Sequence, residues 1–451
     1  MVMGDMEMRC QLLVIGGGPG GYSAALRAAE LGLDVALVDD GPAPGGNCLH
    51  SACLPSRHLL HLARLLDETA AAERLGLAFA PPRIDFARVG AALARQVEDE
   101  GRRLAARAKE RGILLLRGTA SFTGPRQVRL FGAEVSLLRF EKAVIAVGSR
   151  PRPLPGVAAG SPILDIAALW GRESLPTALT VVGGGHIGLE LATILASFGC
   201  RVTLLEKNPR LLARADEDLV RPLHDSLARR LAAIRTGCEV IGVAPSGDGA
   251  VITCRHNGET VELHDLMVLP ASGRLPASDR LGLDNTAVAV GPEGALPVDD
   301  RQRTSDPDIF AVGDVVGDTL LAHAAVRQGR VAAEAAAGGN AVFDVRAVPR
   351  VVLTRPQLAW CGLSETEALR RHIPHQVHRL DHPFDGDHDP HEDGGFFAKL
   401  LTDPQSGRVL GAGLVGDHLE GYIGEAALAV EMGALLEDLR LVLHPYGAGI
   451  P

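Results

Sequence analysis

Two cysteines with four residues between them, Cys48 and Cys53, are the residues of this sequence best suited to redox chemistry. In a regular helix, residues five apart lie roughly 8–9 Å from each other by rise and twist. That distance exceeds the roughly 7 Å between Cα atoms that a disulfide can bridge, so a bond between these sulfurs needs a bent backbone. A strained, accessible disulfide is the readily reduced kind, suited to exchange chemistry. The alternative is two unrelated thiols in a helical turn, and the spacing by itself leaves that alternative open.

A glycine-rich turn stands before the cysteines. The apolar run 11–15 predicts a buried strand, residues 22–31 a helix, and residues 35–38 a second strand that ends at Asp39. The glycines of the intervening turn are Gly16, Gly18 and Gly21. Glycines in this setting let the backbone approach a pyrophosphate at the helix N-terminus, where N–H groups favour anions. Because the acid falls where a ribose hydroxyl could donate to it, the segment predicts a dinucleotide site.

The same pattern recurs in the middle of the chain. A second strand and glycine-rich turn contain Gly183, Gly185 and Gly188, and the following strand ends at Glu206. Glu206 lies 18 residues beyond the third glycine, the separation that Asp39 shows in the first unit. An accidental match is disfavoured because the acid recurs in register, so two dinucleotides are predicted. Glu206 favours NAD, because a carboxylate accepts from a ribose 2′-hydroxyl and repels a 2′-phosphate.

Composition and charge exclude several classes of protein. The chain has 451 residues, enough for about three domains. The net charge of −10 argues against a nucleic-acid partner. No apolar run reaches the ~18 residues that span a bilayer, and residues 1–9 do not read as a secretory signal. The other cysteines are scattered without metal-ligand spacing, which predicts a reducing, cytoplasmic location; they are Cys10, Cys200, Cys238, Cys254 and Cys361.

Histidines and aspartates alternate irregularly between residues 372 and 393. Imidazole and carboxylate groups suit several divalent metal ions, so a metal site is conceivable. No regular pair spacing dominates, and we therefore predict a solvated loop and no metal. The histidines are His372, His375, His378, His382, His388 and His391.

The segment 45–57 resembles the redox-active disulfide motif GGTCxNxGCxPSK of the class I pyridine nucleotide-disulfide oxidoreductases. The likeness extends from Leu12 to Pro445 and is greatest to members that oxidise dihydrolipoamide. It implies that Cys48 exchanges with the substrate disulfide and that Cys53 lies against a flavin as a thiolate. Electrons would pass from dihydrolipoamide, or from a lipoyl protein, through this pair and FAD to NAD⁺. The family's lysine is replaced by Arg57.

The resemblance assigns cofactor roles to further positions. Residues 144–149 resemble the family's domain-crossover turn, residues 272–276 its return to the FAD domain, and residues 304–314 its second flavin motif. The implied FAD residues are Gly16, Gly18, Gly21, Asp39, Arg57, Gly148, Ser149, Asp314, Leu321, Ala322 and His323. The implied NAD residues are Gly183, Gly185, Gly188, Glu190, Glu206 and Gly273. Asp314 would hold the ribityl chain, and Arg57 would pair with Glu190 near the flavin.

The fold class that follows is α/β, with two Rossmann-like dinucleotide-binding domains, for FAD and NAD, and a C-terminal α+β dimerisation domain. The expected boundaries are 1–150 with 273–340 for FAD, 151–272 for NAD, and 341–451 for the interface domain. Along the chain we expect helix through most of residues 57–111 and a proline-rich linker at 150–156. Strands are expected at 351–353, 396–401 and 409–414, followed by helices around 424–436.

The C-terminus carries the implied catalytic base. His444 matches the family's HxHP histidine, which reaches the disulfide of the other subunit, so a homodimer with shared active sites is expected. The family's orienting glutamate is replaced by Gly449. This departure motivates two alternatives: a catalytically weakened FAD- and NAD-binding subunit of a larger lipoyl-bearing assembly, or a related disulfide reductase with another substrate.

Overall fold

A computed structural model describes residues 7–133, 135–317, 320–381 and 397–443. Its helices, in chain order, are α1 (Pro19–Glu30), α2 (Gly46–His50), α3 (Cys53–Ala71), α4 (Phe86–Glu110), α5 (Ile166–Leu169), α6 (His186–Ser197), α7 (Glu217–Arg230), α8 (Ala322–Ala336), α9 (Glu365–Arg370), α10 (Leu419–Met432) and α11 (Leu436–Arg440). No helix in these described ranges is long and apolar enough to cross a membrane.

The strands, in chain order, are β1 (Glu7–Ile15), β2 (Val35–Asp39), β3 (Leu114–Arg117), β4 (Thr119–Gly124), β5 (Gln127–Phe131), β6 (Leu137–Ile145), β7 (Ser149–Pro151), β8 (Ala178–Val182), β9 (Arg201–Leu205), β10 (Ala233–Arg235), β11 (Cys238–Ser246), β12 (Gly249–His256), β13 (Glu259–Asp265), β14 (Val268–Pro270), β15 (Arg274–Pro276), β16 (Ile309–Ala311), β17 (Arg350–Val352), β18 (Gln357–Gly362), β19 (Gln376–Asp381), β20 (Phe397–Thr402) and β21 (Val409–Gly416).

The chain forms two compact units. The first takes described residues from 1–55, 87–152 and 274–344. Its main sheet has the order β3-β2-β1-β6-β5-β4, with β16 also beside β6. Strands β1, β2, β3, β6 and β16 pair in parallel. Both faces of β1 are buried under packed side chains, which explains its apolar run. Leu12 and Val14 pack on one face with alanines of α1 and α8, and Leu13 and Ile15 pack on the other.

The second unit takes described residues from 56–86, 153–273 and 345–451. Strands β10-β9-β8-β14 form a parallel sheet, and β11-β12-β13 form an antiparallel sheet. Strand β8 is fully buried, as its continuous apolar sequence predicts. Strands β17-β18-β21-β20-β19 form a five-stranded antiparallel sheet whose core is completed by the buried side of α10. The α/β fold class is confirmed, and the three-domain boundaries stay a prediction.

Three local expectations are corrected. The segment predicted as a linker at 150–156 begins in β7, which pairs antiparallel with β15, a partner far away in sequence. Part of the histidine-rich stretch predicted as a loop is β19, because its backbone pairs with the apolar strand β20. Helix α3 begins at Cys53 rather than at residue 57.

Candidate active site

The two cysteines lie on either side of a bend between helices. Cys48 is in the middle of α2, and Cys53 is the first residue of α3. Ser51 ends α2 with φ −141° and ψ −13°, outside helical geometry. The N–H groups of Ser51 and Ala52 both donate to Asn47 O, at 3.0 and 2.7 Å. This backbone is bent between the cysteines, as a bond between their sulfurs requires.

The structure describes both cysteines in the thiol form, with Cys48 half-buried and Cys53 exposed. A hydrogen bond with the Cys53 side chain, together with burial, raises the pKa of Cys48 well above its ordinary value. A raised pKa means that the Cys48 thiol keeps its proton to higher pH than an isolated cysteine does.

The first glycine-rich turn is shaped for close approach. Gly16 has φ +101°, and a Cβ at Gly21 would lie 1.8 Å from Gly16 O. Gly18 caps α1 without a side-chain hydrogen bond, so the N–H groups of the first turn remain available to an anion. Asp39 accepts from Gly17 N at 2.6 Å and from Gly41 N at 2.9 Å, and burial raises its pKa. These residues fit a dinucleotide, since the carboxylate oxygens keep lone pairs for a ribose.

The second turn repeats this geometry in the other unit. A Cβ at Gly188 would lie 1.8 Å from the carbonyl oxygen of Gly183, whose φ is +123°. Gly185 caps α6 without a side-chain bond. Glu206 accepts from Gly184 N at 2.6 Å, just as the first acid accepts from the glycine before its own N-cap. A second dinucleotide fits here for the same reasons.

Glu206 has a partner that the sequence patterns did not reveal. Asn208 donates to Glu206 Oε1 through its backbone N–H at 2.7 Å and its side-chain amide at 2.6 Å. The acid is 7% exposed. An acid two residues before an asparagine in a turn is the only sequence signal for this contact.

A polar network centred on the buried Ser149 joins four residues of the first unit. Ser149 Oγ donates to Asp314 Oδ2 at 2.5 Å. Arg274 donates to Ser149 Oγ at 2.7 Å and to Ser149 O at 2.6 Å. Asn47 Nδ2 donates to the same carbonyl at 2.8 Å. The structure thus brings the predicted Ser149 and Asp314 together, and it adds Arg274 and Asn47.

The remaining cofactor positions are at turns and helix starts. Gly148 precedes β7 with φ +69°, and Gly273 precedes β15 with φ +128°. Leu321 is the N-cap of α8, whose first two residues are Ala322 and His323. The assignment of these residues to FAD or NAD stays a prediction.

The expected ion pair of Arg57 with Glu190 is corrected. Among the described ion pairs, none joins these two residues; Arg57 is exposed, and Glu190 accepts from Leu353 N at 3.0 Å. Burial raises the pKa of Glu190 to about 7, and the Leu353 bond lowers it only partly. No cation is among the causes that act on Glu190, so nothing offsets burial beyond the Leu353 bond and the pKa stays raised.

Two predictions fall wholly or partly outside the described residues. His444 and Gly449 lie outside them, as do His382, His388 and His391. His375 contacts Ile373 O at 2.8 Å, and His378 contacts Thr402 Oγ1 at 2.9 Å. Within the described ranges, no group of three or more potential ligands could hold a metal ion.

Comparisons with known proteins cover most of the chain. The family model described as pyridine nucleotide-disulphide oxidoreductase matches residues 10–329, and that family's dimerisation domain matches residues 348–448. The dihydrolipoyl dehydrogenase of Thermus scotoductus is 38% identical over 440 residues, 96% of this chain and 94% of the relative. That of Halobacterium salinarum is 34% identical over 456 residues, 99% of this chain and 95% of the relative.

Solved structures are similar to this chain over nearly its whole length. LpdA from Mycobacterium tuberculosis has a TM-score of 0.87 at 25% identity and covers 98% of this chain and 97% of its own. The HOCl-induced flavoprotein disulfide reductase RclA from Escherichia coli has a TM-score of 0.83 at 25% identity and covers 97% of each chain. With two family models over most of its length and relatives above 30% identity, this chain belongs to the pyridine nucleotide-disulphide oxidoreductase family.

Proposed function

We propose that this protein oxidises dihydrolipoamide, free or attached to a carrier protein, and transfers the electrons to NAD⁺. As a member of its family it is an FAD-dependent disulfide oxidoreductase. The observation that carries the choice of a dithiol substrate is the side-chain hydrogen bond between Cys48 and Cys53 on a bent backbone. The dihydrolipoyl dehydrogenase names of the relatives support the lipoyl group as the substrate.

The dithiol step balances as two successive thiol–disulfide exchanges. A thiolate of dihydrolipoamide attacks Cys48 in the Cys48–Cys53 disulfide, and Cys53 leaves as a thiolate. The second substrate sulfur then attacks its neighbour, which closes the lipoamide disulfide and releases Cys48. The substrate loses two electrons and the cysteine pair gains them. The hydrogen bond between the two side chains favours the protonated form of Cys48.

The cofactors are FAD and NAD, and the two glycine-rich turns are where we propose that they bind. FAD would be held by the turn at Gly16–Gly21 with Asp39, and by Ser149 and Asp314. NAD would be held by the turn at Gly183–Gly188 with Glu206. When bound, the flavin accepts two electrons from a dithiol and delivers a hydride to NAD⁺. The chain's own contribution is to bind both dinucleotides at helix N-termini and to hold the dithiol.

The dimerisation domain supports a homodimer in which His444 of each chain acts as the base at the other chain's disulfide. A positioned base of this kind contributes about 10²–10⁴-fold. The five cysteines outside the pair are scattered along the sequence without metal-ligand spacing, which supports a reducing, cytoplasmic location. The alternative of a binding subunit with weakened turnover is not favoured, because the dithiol and both nucleotide turns are intact.

Steady-state kinetics test this proposal. Purified protein loaded with FAD is given dihydrolipoamide and NAD⁺, and NADH formation is followed by absorbance. We expect turnover that depends on dihydrolipoamide and is abolished in Cys48→Ser. Cys361→Ser, which alters a buried thiol far from the pair in sequence, is the matched control and keeps its activity. A wild-type protein that binds FAD and does not oxidise dihydrolipoamide would refute the proposed substrate.

A further inference from the structure

The acids that close the two glycine-rich turns are held by different numbers of hydrogen bonds. Asp39 accepts one backbone N–H on each carboxylate oxygen, at 2.6 and 2.9 Å. Glu206 has the same two bonds, from Gly184 N to Oε2 at 2.6 Å and from Asn208 N to Oε1 at 2.7 Å. It also has a third bond, because the side-chain amide of Asn208 donates to Oε1 at 2.6 Å.

The third bond comes from the residue two positions after the acid. In the first unit this residue is Gly41, which has no side chain, and in the second unit it is Asn208. A carboxylate offers about four lone-pair sites to donors. The two bonds to Asp39 therefore leave about two sites open, and the three bonds to Glu206 leave about one.

The Glu206 side chain is held by packing as well as by hydrogen bonds. It is 7% exposed, and a Cβ on Gly184 would lie 3.0 Å from Glu206 Cβ, so the stem of the acid lies directly against the turn. The backbone of Asn208 is itself tied to the chain, since Gly237 N donates to Asn208 O at 2.8 Å. The carboxylate therefore cannot turn toward water without breaking several hydrogen bonds to a charged group, which are the strong ones.

Among the described residues, no ion pair offsets the negative charge of Glu206. Arg210, the first arginine after it in the sequence, donates to Ala215 O at 2.7 Å and to Ala213 O at 3.0 Å. Lys207 is exposed, so water screens its charge. A group that approaches the acid therefore meets a negatively charged acceptor, which favours a hydroxyl donor and repels a phosphate.

We infer that Asn208 determines the preference of the second dinucleotide site for NAD⁺ over NADP⁺, because it fixes the carboxylate of Glu206 as an acceptor for a ribose hydroxyl. A mobile glutamate could turn away from a 2′-phosphate, whereas a fixed one keeps its repulsion. The inference rests on the proposed function, in which NAD binds at the turn Gly183–Gly188. At the turn proposed for FAD there is no phosphorylated competitor to reject, and Gly41 takes the equivalent position.

Isothermal titration calorimetry with NAD⁺ and NADP⁺ tests this role, because neither oxidised nucleotide reduces the flavin of the FAD-loaded protein. The readout is the dissociation constant for NADP⁺ divided by that for NAD⁺. We expect N208A to lower this ratio about tenfold, since it removes one hydrogen bond to a charged group. N208S keeps a donor at this position and should have a ratio between those of N208A and wild type.

A double-variant comparison separates a role through Glu206 from a general structural role. In an E206A background there is no carboxylate to hold, so E206A/N208A should have the same ratio as E206A. The matched control is N257G, because Asn257 is exposed in the turn between β12 and β13 and has φ +51°, which glycine adopts freely. Its ratio should equal that of wild type. Thermal unfolding and flavin content establish that each variant is folded.

A wild-type ratio in folded N208A overturns the inference, and so does an equal fall of the ratio when N208A is added to E206A. Turnover with dihydrolipoamide gives an independent result. Inactivity toward dihydrolipoamide with a lowered ratio in N208A refutes only the substrate, and activity with an unchanged ratio refutes only the role of Asn208. A wild-type protein that binds NADP⁺ as tightly as NAD⁺ refutes both the proposed acceptor and the role of Asn208.

Discussion

Gly185 and Gly188 lie three residues apart in the second glycine-rich turn, and an added methyl group meets different surroundings at each. A Cβ at Gly188 would lie 1.8 Å from Gly183 O, whereas a Cβ at Gly185 meets nothing within 4 Å. We expect Gly188→Ala to lower stability by about 1–3 kcal/mol. We expect Gly185→Ala to keep stability within about 1 kcal/mol and to weaken NADH binding about tenfold or more, because its Cβ occupies the approach of the pyrophosphate.

The two effects are separated by thermal unfolding and by NADH fluorescence titration. Gly171→Ala is the matched control, because a Cβ there makes only an ordinary contact, 3.8 Å from Ala168 O. It should change neither quantity. Wild-type NADH affinity in Gly185→Ala would mean that the nucleotide does not approach this turn.

A second prediction at the residue scale concerns how stability depends on pH through Glu190. Burial raises the pKa of Glu190 to about 7 from the ordinary 4.5. In this range the folded state binds more protons than the unfolded state, so stability falls as pH rises through the interval. Glu190→Gln keeps an oxygen for the Leu353 N–H and cannot ionise. The variant should therefore gain about 1–2 kcal/mol relative to wild type between about pH 5 and about pH 8.

Urea unfolding at the two pH values measures this difference. Glu367→Gln, at an exposed position on α9, is the control and should follow the wild-type pH dependence. A constant difference between wild type and Glu190→Gln would show that Glu190 is ionised at both pH values.

At the scale of elements, a buried lysine ties α7, α9 and β20 together. Lys399 is 1% exposed and contacts Asp216 at 2.8 Å, Asp218 at 2.6 Å and Glu365 at 3.1 Å. Asp216 also accepts two backbone N–H groups at the start of α9. Burial raises the pKa of Asp216, but hydrogen bonds from Lys399 and Thr366 outweigh it and the net pKa is lowered. The carboxylate therefore stabilises the fold above its ordinary pKa and loses this contribution as pH falls further.

Replacing Lys399 should lower the stability of the fold far more than replacing Arg379, the exposed cation beside it. Lys399→Met leaves the buried carboxylate of Asp216 without a counter-charge, and we expect a loss of stability of about 3–5 kcal/mol at neutral pH. Arg379→Met is the matched control: Arg379 contacts Asp218 and Glu365 too, but its side chain is 48% exposed, so we expect less than about 1 kcal/mol. Chemical unfolding measures both, and equal losses would contradict the role given to burial. The difference between the two stability losses should become smaller below about pH 4, where the carboxylates protonate.

The same elements show what the sequence could and could not predict. The glycine turns, their strands and the closing acids were predictable because each is a local pattern, and the structure places both acids on the turns. Strand β19 was not, since its two apolar residues, Val377 and Leu380, do not alternate with polar residues and its pairing comes from β20. The Lys399 cluster and the Arg274 contacts join residues far apart in sequence, and no spacing rule connects them. The bend between the cysteines was predictable once a disulfide between them was assumed, because that bond cannot span the distance in a regular helix.

At the scale of the whole molecule, α10 has apolar residues on both sides. Ile423, Ala426 and Val430 are buried against the five-stranded sheet. On the opposite side, Leu428 is 62% exposed and Met432 is 76% exposed, one helical turn apart. A helix that is apolar all round is normally covered on both sides. Because α10 lies within the match to the dimerisation domain, a second copy of this chain is the expected cover.

The last prediction follows from the symmetry of such a contact. In a two-fold interface each substitution occurs twice, so one added charge per chain places two charges in the same apolar contact. We expect Leu428→Glu and Met432→Glu to convert the dimer to a monomer at micromolar concentration, as measured by light scattering after size-exclusion chromatography. Leu369→Glu is the matched control. Leu369 is 61% exposed and is the single exposed apolar residue of α9, so this variant should remain dimeric. If His444 serves the other chain's disulfide, the monomeric variants should also lose dihydrolipoamide turnover while they retain FAD. A dimer that persists in both α10 variants would place the interface on another surface.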